Sequence, residues 1–483
     1  MRLHPSVSCI ASLAAIALAT PAFADPRRPD PGFIYVDVNN DSLYSATDGD
    51  IVIPATLITN NGSFDTAKAE GSYRPGCSAV SLVVPASQTV DTGSFPLSLK
   101  AGKNLVIAGH LIGPSMKLQA GYNANLTHAI LDFKTIFSVC SGKDLTLDDA
   151  AITGSEAGST LYAGANRNLY ARATSVGHSA NLLAGALVNL EACGTATFVD
   201  AGISAIDPDS QVVIEATGDI VMDGTPYDAA TNPFGPGVTG LFSPGEVQVL
   251  AHGTSCSSAG PNITMTSAAI TSGDTEIAAS GNVTLSGLFD FSNGTVDVSA
   301  GRGVSGGNGT SIFAGTVGVS GTSFVTLDFA SLFANIGTAS LASSCGTVSA
   351  NSANIQGATG VSLSGKYDVI ALFTQFTADK YVKLLSSAGK VTATDSRIVT
   401  PFSSTGAAIT AQGKGVVDIS RANWSAPTSV LVKSTNYNVF ALNATLSAAS
   451  LAFYAGGGTI NVTGAVLTGS TTYGPSGVQV IGP

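Results

Sequence analysis

In the segment Leu105-Val106-Ile107-Ala108-Gly109-His110-Leu111-Ile112 an apolar residue is followed by another two positions later and by a third seven after the first. The same register returns at 51–58, 145–152, 169–176, 196–203, 220–227, 263–270, 325–332, 348–355, 369–376, 391–398, 417–424, 439–446 and 460–467. Looser copies begin near Val83, Ala124, Val283 and Val304. That makes 18 copies, mostly 19 to 27 residues apart. Within each copy apolar positions alternate with Thr, Ser, Asp and Asn, the period of two that belongs to strands. A second alternating piece usually precedes a copy, as in Leu97-Ser98-Leu99-Lys100-Ala101 and Val361-Ser362-Leu363-Ser364. Gly, Asn and Ser sit between the pieces, where corners need positive φ or side-chain bonds to the backbone.

A coil of this size cannot bury its own apolar face. Stacked at about 4.8 Å, such coils share a continuous core and satisfy one another's strand hydrogen bonds. The pattern therefore predicts an all-β parallel β-helix, a single-stranded solenoid of about 18 coils and roughly 80 Å. A β-sandwich also alternates, but it does not hold one register through so many turns. Trp424 occupies a register position otherwise held by Ile, Leu or Phe and is expected in the core.

The domain organisation follows from the ends. Residues 1–24 read as a signal peptide: Arg2 and His4 precede an apolar run that closes on Ala22-Phe23-Ala24, with cleavage expected after Ala24. Residues 25–50, rich in proline, read as an amino-terminal cap, 51–467 as the solenoid and 468–483 as a carboxy-terminal cap or tail. Open strand edges at the ends of a solenoid need such covers. No run of apolar residues is long enough to span a membrane. The chain is expected outside the inner membrane, extracellular or at the outer surface, with the periplasm as the other destination.

Without its signal the chain carries 20 basic against 32 acidic residues. That balance argues against nucleic acid or an anionic membrane as partner. Five cysteines follow the signal, Cys77, Cys140, Cys193, Cys256 and Cys345. Neighbours among them fall two or more coils apart, beyond disulfide reach along a coil wall, and they read as small buried or corner residues.

Two constellations bear on chemistry. In Asp37-Val38-Asn39-Asn40-Asp41-Ser42-Leu43-Tyr44-Ser45-Ala46-Thr47-Asp48, oxygen ligands Asp37, Asn39, Asp41 and Asp48 stand at loop positions one, three, five and twelve of a calcium loop. Ser42 replaces the usual Gly and Asp48 the usual Glu, so calcium stands beside a second reading, an Asx-rich turn that caps the rod. Aligning the coils also gathers His128, Asp148, Asp149, Arg172, Asp200 and Asp223 near one wall. This is the material for a polysaccharide lyase or glycoside hydrolase, or else a set of ordinary outward-facing positions. No Gly-x-Ser-x-Gly elbow or His-Glu-x-x-His zinc pair occurs. Between Tyr227 and Ile263, Pro233, Pro236 and Pro244 mark an excursion from the rod, a binding loop or a tolerated insertion.

The run Thr275-Glu276-Ile277-Ala278-Ala279-Ser280-Gly281-Asn282-Val283-Thr284-Leu285 resembles the repeats of filamentous-haemagglutinin-type secreted adhesins, and pectin-lyase-like β-helices share the geometry. The resemblance covers most of 95–470 and implies a right-handed coil. It also implies an adhesin-like or structural protein that meets carbohydrate or a host or neighbouring surface. A carbohydrate-active enzyme is the alternative. The Asn-Pro-Asn-Gly and Asn-Pro-Asn-Leu segments of the family's secretion domain are missing, and Val480-Ile481-Gly482-Pro483 does not resemble a barrel strand.

Overall fold

The computed structural model describes residues 32–66, 80–175, 178–224, 238–253, 260–401 and 406–482. They form the expected right-handed parallel β-helix, of about 17 turns and 2% helix. Each turn has three strands. In one stretch of the rod the first row runs Leu145–Thr146, Leu169–Arg172, Ala196–Val199 and Ile220–Asp223, paired parallel and in register from Leu145 through Leu169 and Ala196 to Ile220. The second row runs Ala151–Gly154, Asn181–Ala184 and Gly202–Ala205. The third runs Thr160–Ala165, Leu187–Ala192 and Gln211–Ala216. The eight-residue sequence register is thus the first row, a corner and the second row, and the alternating piece before it is the third row.

Parallel stacking puts like positions over like. In the second row Leu241, Ile270, Asp290, Ile312, Leu332, Ile355, Phe376, Ile398, Trp424 and Leu446 form one interior column. All are buried. Removing each apolar member from water contributes about 1.5 to 3 kcal/mol, so the column drives folding everywhere except at Asp290. Trp424 is fully buried, as expected, and its indole N–H donates to Ser396 Oγ at 3.0 Å.

The corner between the first and second rows has one conformation repeated along the rod. Residues His128, Asp149, Asp200, Ser267, Phe329, Ser352, Phe373, Asp395, Arg421 and Asn443 all take φ between 46° and 64°, with glycine at 287, 309 and 464. Each corner N–H donates to the carbonyl of the next coil, as His128 does to Asp148 and Asp149 to Arg172, both at 2.9 Å. The left-handed conformation costs an L-residue about 1–2 kcal/mol, and the ladder bond and the buried small residue that follows, such as Ala129, Ala150 or Ala201, hold it in place.

Three expectations need correction. Residues 51–58 are not a coil. Strands β1 (Ile34–Asp37) and β2 (Ile51–Ile53) pair antiparallel, α1 (Ala55–Asn61) follows, and β3 (Ser63–Asp65) and β4 (Ser81–Val84) begin the parallel stack. β1 also pairs antiparallel with β4, so the cap closes the first-row edge with reversed strands. Ile58 is buried because α1 packs it inward, not because it lies on a strand.

Residues 227–263 are not an excursion throughout. Thr239–Ala251 is a regular strand of the second and third rows, pairing with Gly202–Ser204 and Gln211–Ala216 below and with Ala268–Ala279 above. The described part of the interval is thus one coil of the stack, and Tyr227, Pro233 and Pro236 lie outside the described residues. Finally, 468–483 is no separate cap: Val466–Gly474 and Gln479–Ile481 add a further parallel layer.

Cys140, Cys193 and Cys345 are free and exposed, at the ends of third-row strands or in the corners after them, so of the two expected places, buried or corner, these three take the corner. Cys77 and Cys256 lie outside the described residues. Among the described residues no helix is long and apolar enough to cross a membrane.

Candidate functional site

The six residues gathered by coil alignment separate into two adjacent rows. Asp148, Arg172 and Asp223 occupy the last first-row position of their coils, and His128, Asp149 and Asp200 the left-handed corner beside it. Asp148 and Arg172 make a two-pronged ion pair across one coil step, Nε to Oδ1 at 3.1 Å and a terminal nitrogen to Oδ2 at 2.7 Å. This ties up both groups as a clasp between coils. Asp200 is buried with neither carboxylate oxygen hydrogen-bonded. Desolvation, with a smaller push from Asp223, raises its pKa to about 6.

His128 Nδ1 lies 3.6 Å from Asp149 Oδ2, and the His128 and His178 rings meet edge to face with centroids 6.0 Å apart. His178 comes from an insertion. Between the first-row and second-row starts there are six residues in the coil of Leu145 and in that of Ala196, but twelve in the coil of Leu169. His178, in this longer connection, lies beside His128 and Asp149. The row-two start is therefore Asn181, and Val176, expected there, lies outside the described residues.

In the Asp37–Asp48 loop the Asp37 carboxylate is buried and accepts the N–H groups of Asn40 at 2.6 Å and Ser42 at 2.8 Å, both of which have φ of 64°. Burial nevertheless raises its pKa. Asp50 does the same work on the other side, accepting from Val38 and Ser45, both at 2.8 Å. Asn39 Nδ2 donates to Asp41 Oδ2 at 3.0 Å and to Asp48 Oδ2 at 3.3 Å. Asn39 thus links Asp41 and Asp48, whereas both Asp37 oxygens are taken by backbone N–H groups and the three carboxylates are not gathered within ligand distance of one another. For a cation to lie there Asn39 must turn its oxygen inward, the other orientation of the same planar group.

The middle of the rod carries a surface that the coil alignment missed. Asp209, Glu246, Asp274, Glu276 and Asp297 line a groove of about 670 Å³ together with Pro208, Ser210, Gln211, Pro244, Gly245, Gly273, Thr275 and Thr295. No Lys or Arg lines it. Register stacks Gln211, Glu246 and Asp274 in one outward column and Gln248, Glu276 and Asp297 in another. Asp274 accepts the Thr295 N–H at 2.6 Å and Glu246 accepts Gln248 Nε2 at 2.8 Å. Crowding by the groove desolvates the Asp297 carboxyl and raises its pKa. These residues sit on the third row, whereas the sequence alignment followed the first and second.

On the second row, starting in the coil that carries Asp297 at the end of the groove and continuing over the next two coils, Phe291, Phe313 and Phe333 are stacked in register on the outer face. Phe313 and Phe333 are nearly parallel at 4.7 Å between centroids, and Phe289 tilts against Phe313 at 5.8 Å. Phe289 and Phe291 are each 49% exposed, and the corner residues Phe329 and Phe373 more so. Asp290, between the two exposed rings, points the other way into the core. Its Oδ1 accepts from Ser292 Oγ at 2.7 Å, and Ser292, Ser272 and Thr275 bond one another at 2.7 to 2.8 Å, while Oδ2 has no partner.

Comparison with family models, with curated proteins and with solved structures finds no match for the chain.

Proposed function

We propose that this chain is an exported, rod-shaped, adhesin-like surface protein that captures neutral carbohydrate on the middle of its solenoid. The observation that carries the reading is a phenylalanine ladder, exposed at Phe289 and Phe291 and half-buried at Phe313 and Phe333, that continues from the end coil of a groove of carboxylates. Aromatic faces take the C–H faces of sugar rings, and carboxylates accept their hydroxyl groups. A groove with five acids and no lining base disfavours uronate or sulfated chains. The repeat resemblance to secreted adhesins and the signal-like 1–24 segment agree with a surface role. The test is binding of the mature chain to a panel of neutral and acidic polysaccharides. Retention on neutral chains, lost in Phe291→Ala and Phe313→Ala, supports the reading. Equal retention by those variants overturns it.

One observation favours a second reading, a glycoside hydrolase. Asp297, whose pKa is raised by burial, stands one coil from Glu276, and a carboxyl group that holds its proton beside a second carboxyl group is how such enzymes supply a general acid. New reducing ends released from any of the polysaccharides, and abolished by Asp297→Asn, would establish it over simple binding.

A further inference from the structure

We propose that His128, Asp149 and His178 form a binding site for one divalent transition-metal ion of the zinc class, built where two left-handed corner residues on consecutive coils meet a histidine from the longer connection before Asn181. Ligand atoms of the three side chains all lie within 4.8 Å of one another, and they are the His, Cys, Asp and Glu cluster of this kind among the described residues. In a tetrahedral zinc site with bonds of about 2.0 to 2.2 Å, neighbouring ligand atoms are about 3.3 to 3.6 Å apart. His128 Nδ1 and Asp149 Oδ2, at 3.6 Å, are close to that edge and too far apart for a good hydrogen bond.

The backbone explains why they meet. His128 and Asp149 hold the same left-handed corner on consecutive coils, with φ of 63° and 52°. Further along the column the corner residues Asp395 and Arg421 show what this stacking does: their side chains meet in a two-pronged pair at 2.8 and 2.6 Å. At His128 and Asp149 the same geometry brings an imidazole to a carboxylate, and the insertion adds a second imidazole where other coils have none.

The carboxylate is also held in place. The Asp149 side chain is 1% exposed, and its Oδ1 accepts the Thr174 N–H at 3.0 Å while the Thr174 hydroxyl donates to Oδ2. Such outer contacts orient a ligand. Two imidazoles and one carboxylate suit zinc, copper or nickel, whereas calcium and magnesium prefer all-oxygen sets. Three protein ligands at a half-exposed corner leave a fourth position to water or to a group brought by a partner.

The experiment uses the mature chain without a histidine tag, stripped with chelator and dialysed, and titrated calorimetrically with ZnCl2. One ion per chain is expected. His178→Ala, and separately Asp149→Asn, should weaken that event by more than about 100-fold, since altering even outer-shell partners costs roughly 10- to 100-fold. Asn tolerates the left-handed corner, so the second variant keeps the fold. His110→Ala, which removes a histidine already paired with Asp132 at 2.7 Å, should leave the event unchanged. Loading with Co2+ separates this site from the exposed cysteines: a ligand-field spectrum without a thiolate charge-transfer band is expected. Zinc binding that survives both variants, no binding at all, or a thiolate band would overturn the proposal.

Discussion

Asp290 occupies a position where every stacked neighbour in its column is apolar: Ile270 lies on one side and Ile312 on the other. Desolvation raises its pKa to about 7, against smaller opposing contributions from Ser292 and Thr275. The unfolded chain binds that proton with an ordinary carboxyl pKa near 3.8. The group's stabilising contribution is therefore fully present below about pH 4 and is lost as pH rises through about 7. A pKa difference of that size corresponds to about 4 kcal/mol, at about 1.36 kcal/mol per tenfold change in proton affinity. Asp290→Asn keeps an oxygen acceptor for Ser292 and cannot ionise. Urea unfolding of wild type and variant, followed by circular dichroism, is expected to show similar stabilities near pH 4.5 and an advantage of a few kcal/mol for the variant at pH 8. Asp200, whose pKa is raised to about 6, bends both curves the same way and cancels in the comparison. A difference between wild type and variant that stays within about 1 kcal/mol across that range would show that Asp290 ionises as readily in the folded protein as in the unfolded one, and the reasoning would fail.

Trp424→Ala removes the largest fully buried side chain and leaves the Ser396 hydroxyl without its donor, so it should cost about 3–5 kcal/mol in the same unfolding assay. Phe329→Asn replaces an exposed phenylalanine at φ 60° with a residue that accepts that conformation, and a gain of up to about 1 kcal/mol is expected; loss of stability would mean that the ring packs where it stands. Calcium held by Asp37, Asn39, Asp41 and Asp48 would tie β1 to the start of β2, so chelator should lower the melting temperature of the wild-type chain. Asp37→Ala with Asp41→Ala should abolish that sensitivity, and should itself destabilise by about 1–3 kcal/mol because the backbone N–H groups of Asn40, Ser42 and Leu43 lose their acceptors. A wild-type melt unmoved by chelator would leave the loop as an Asx-rich cap.

The sequence by itself determined the solenoid, because strand alternation and a fixed coil length are local properties that stacking only repeats. The spacing of Val348, Val369 and Val391 already shows which residues lie over which, and the interior place of Trp424 follows from its position in the register. What the register could not show is where side chains from different rows meet. Asp148 and Asp149 are neighbours in sequence, yet one faces Arg172 from a strand and the other faces His128 from a left-handed corner. That corner conformation is imposed by the coils above and below it, which hold His, Asp, Phe and Arg there at a cost that Gly does not carry, so no residue type announces it. Asp290 reads as one more polar residue between two phenylalanines; only the stacking of Ile270 and Ile312 over it turns it inward and raises its pKa. The six-residue insertion before Asn181 and the third-row acids Glu246, Asp274, Glu276 and Asp297 became sites for the same reason. Residues about twenty to thirty positions apart come together only when neighbouring coils settle at strand spacing, a distance that composition and periodicity leave open and tertiary packing decides.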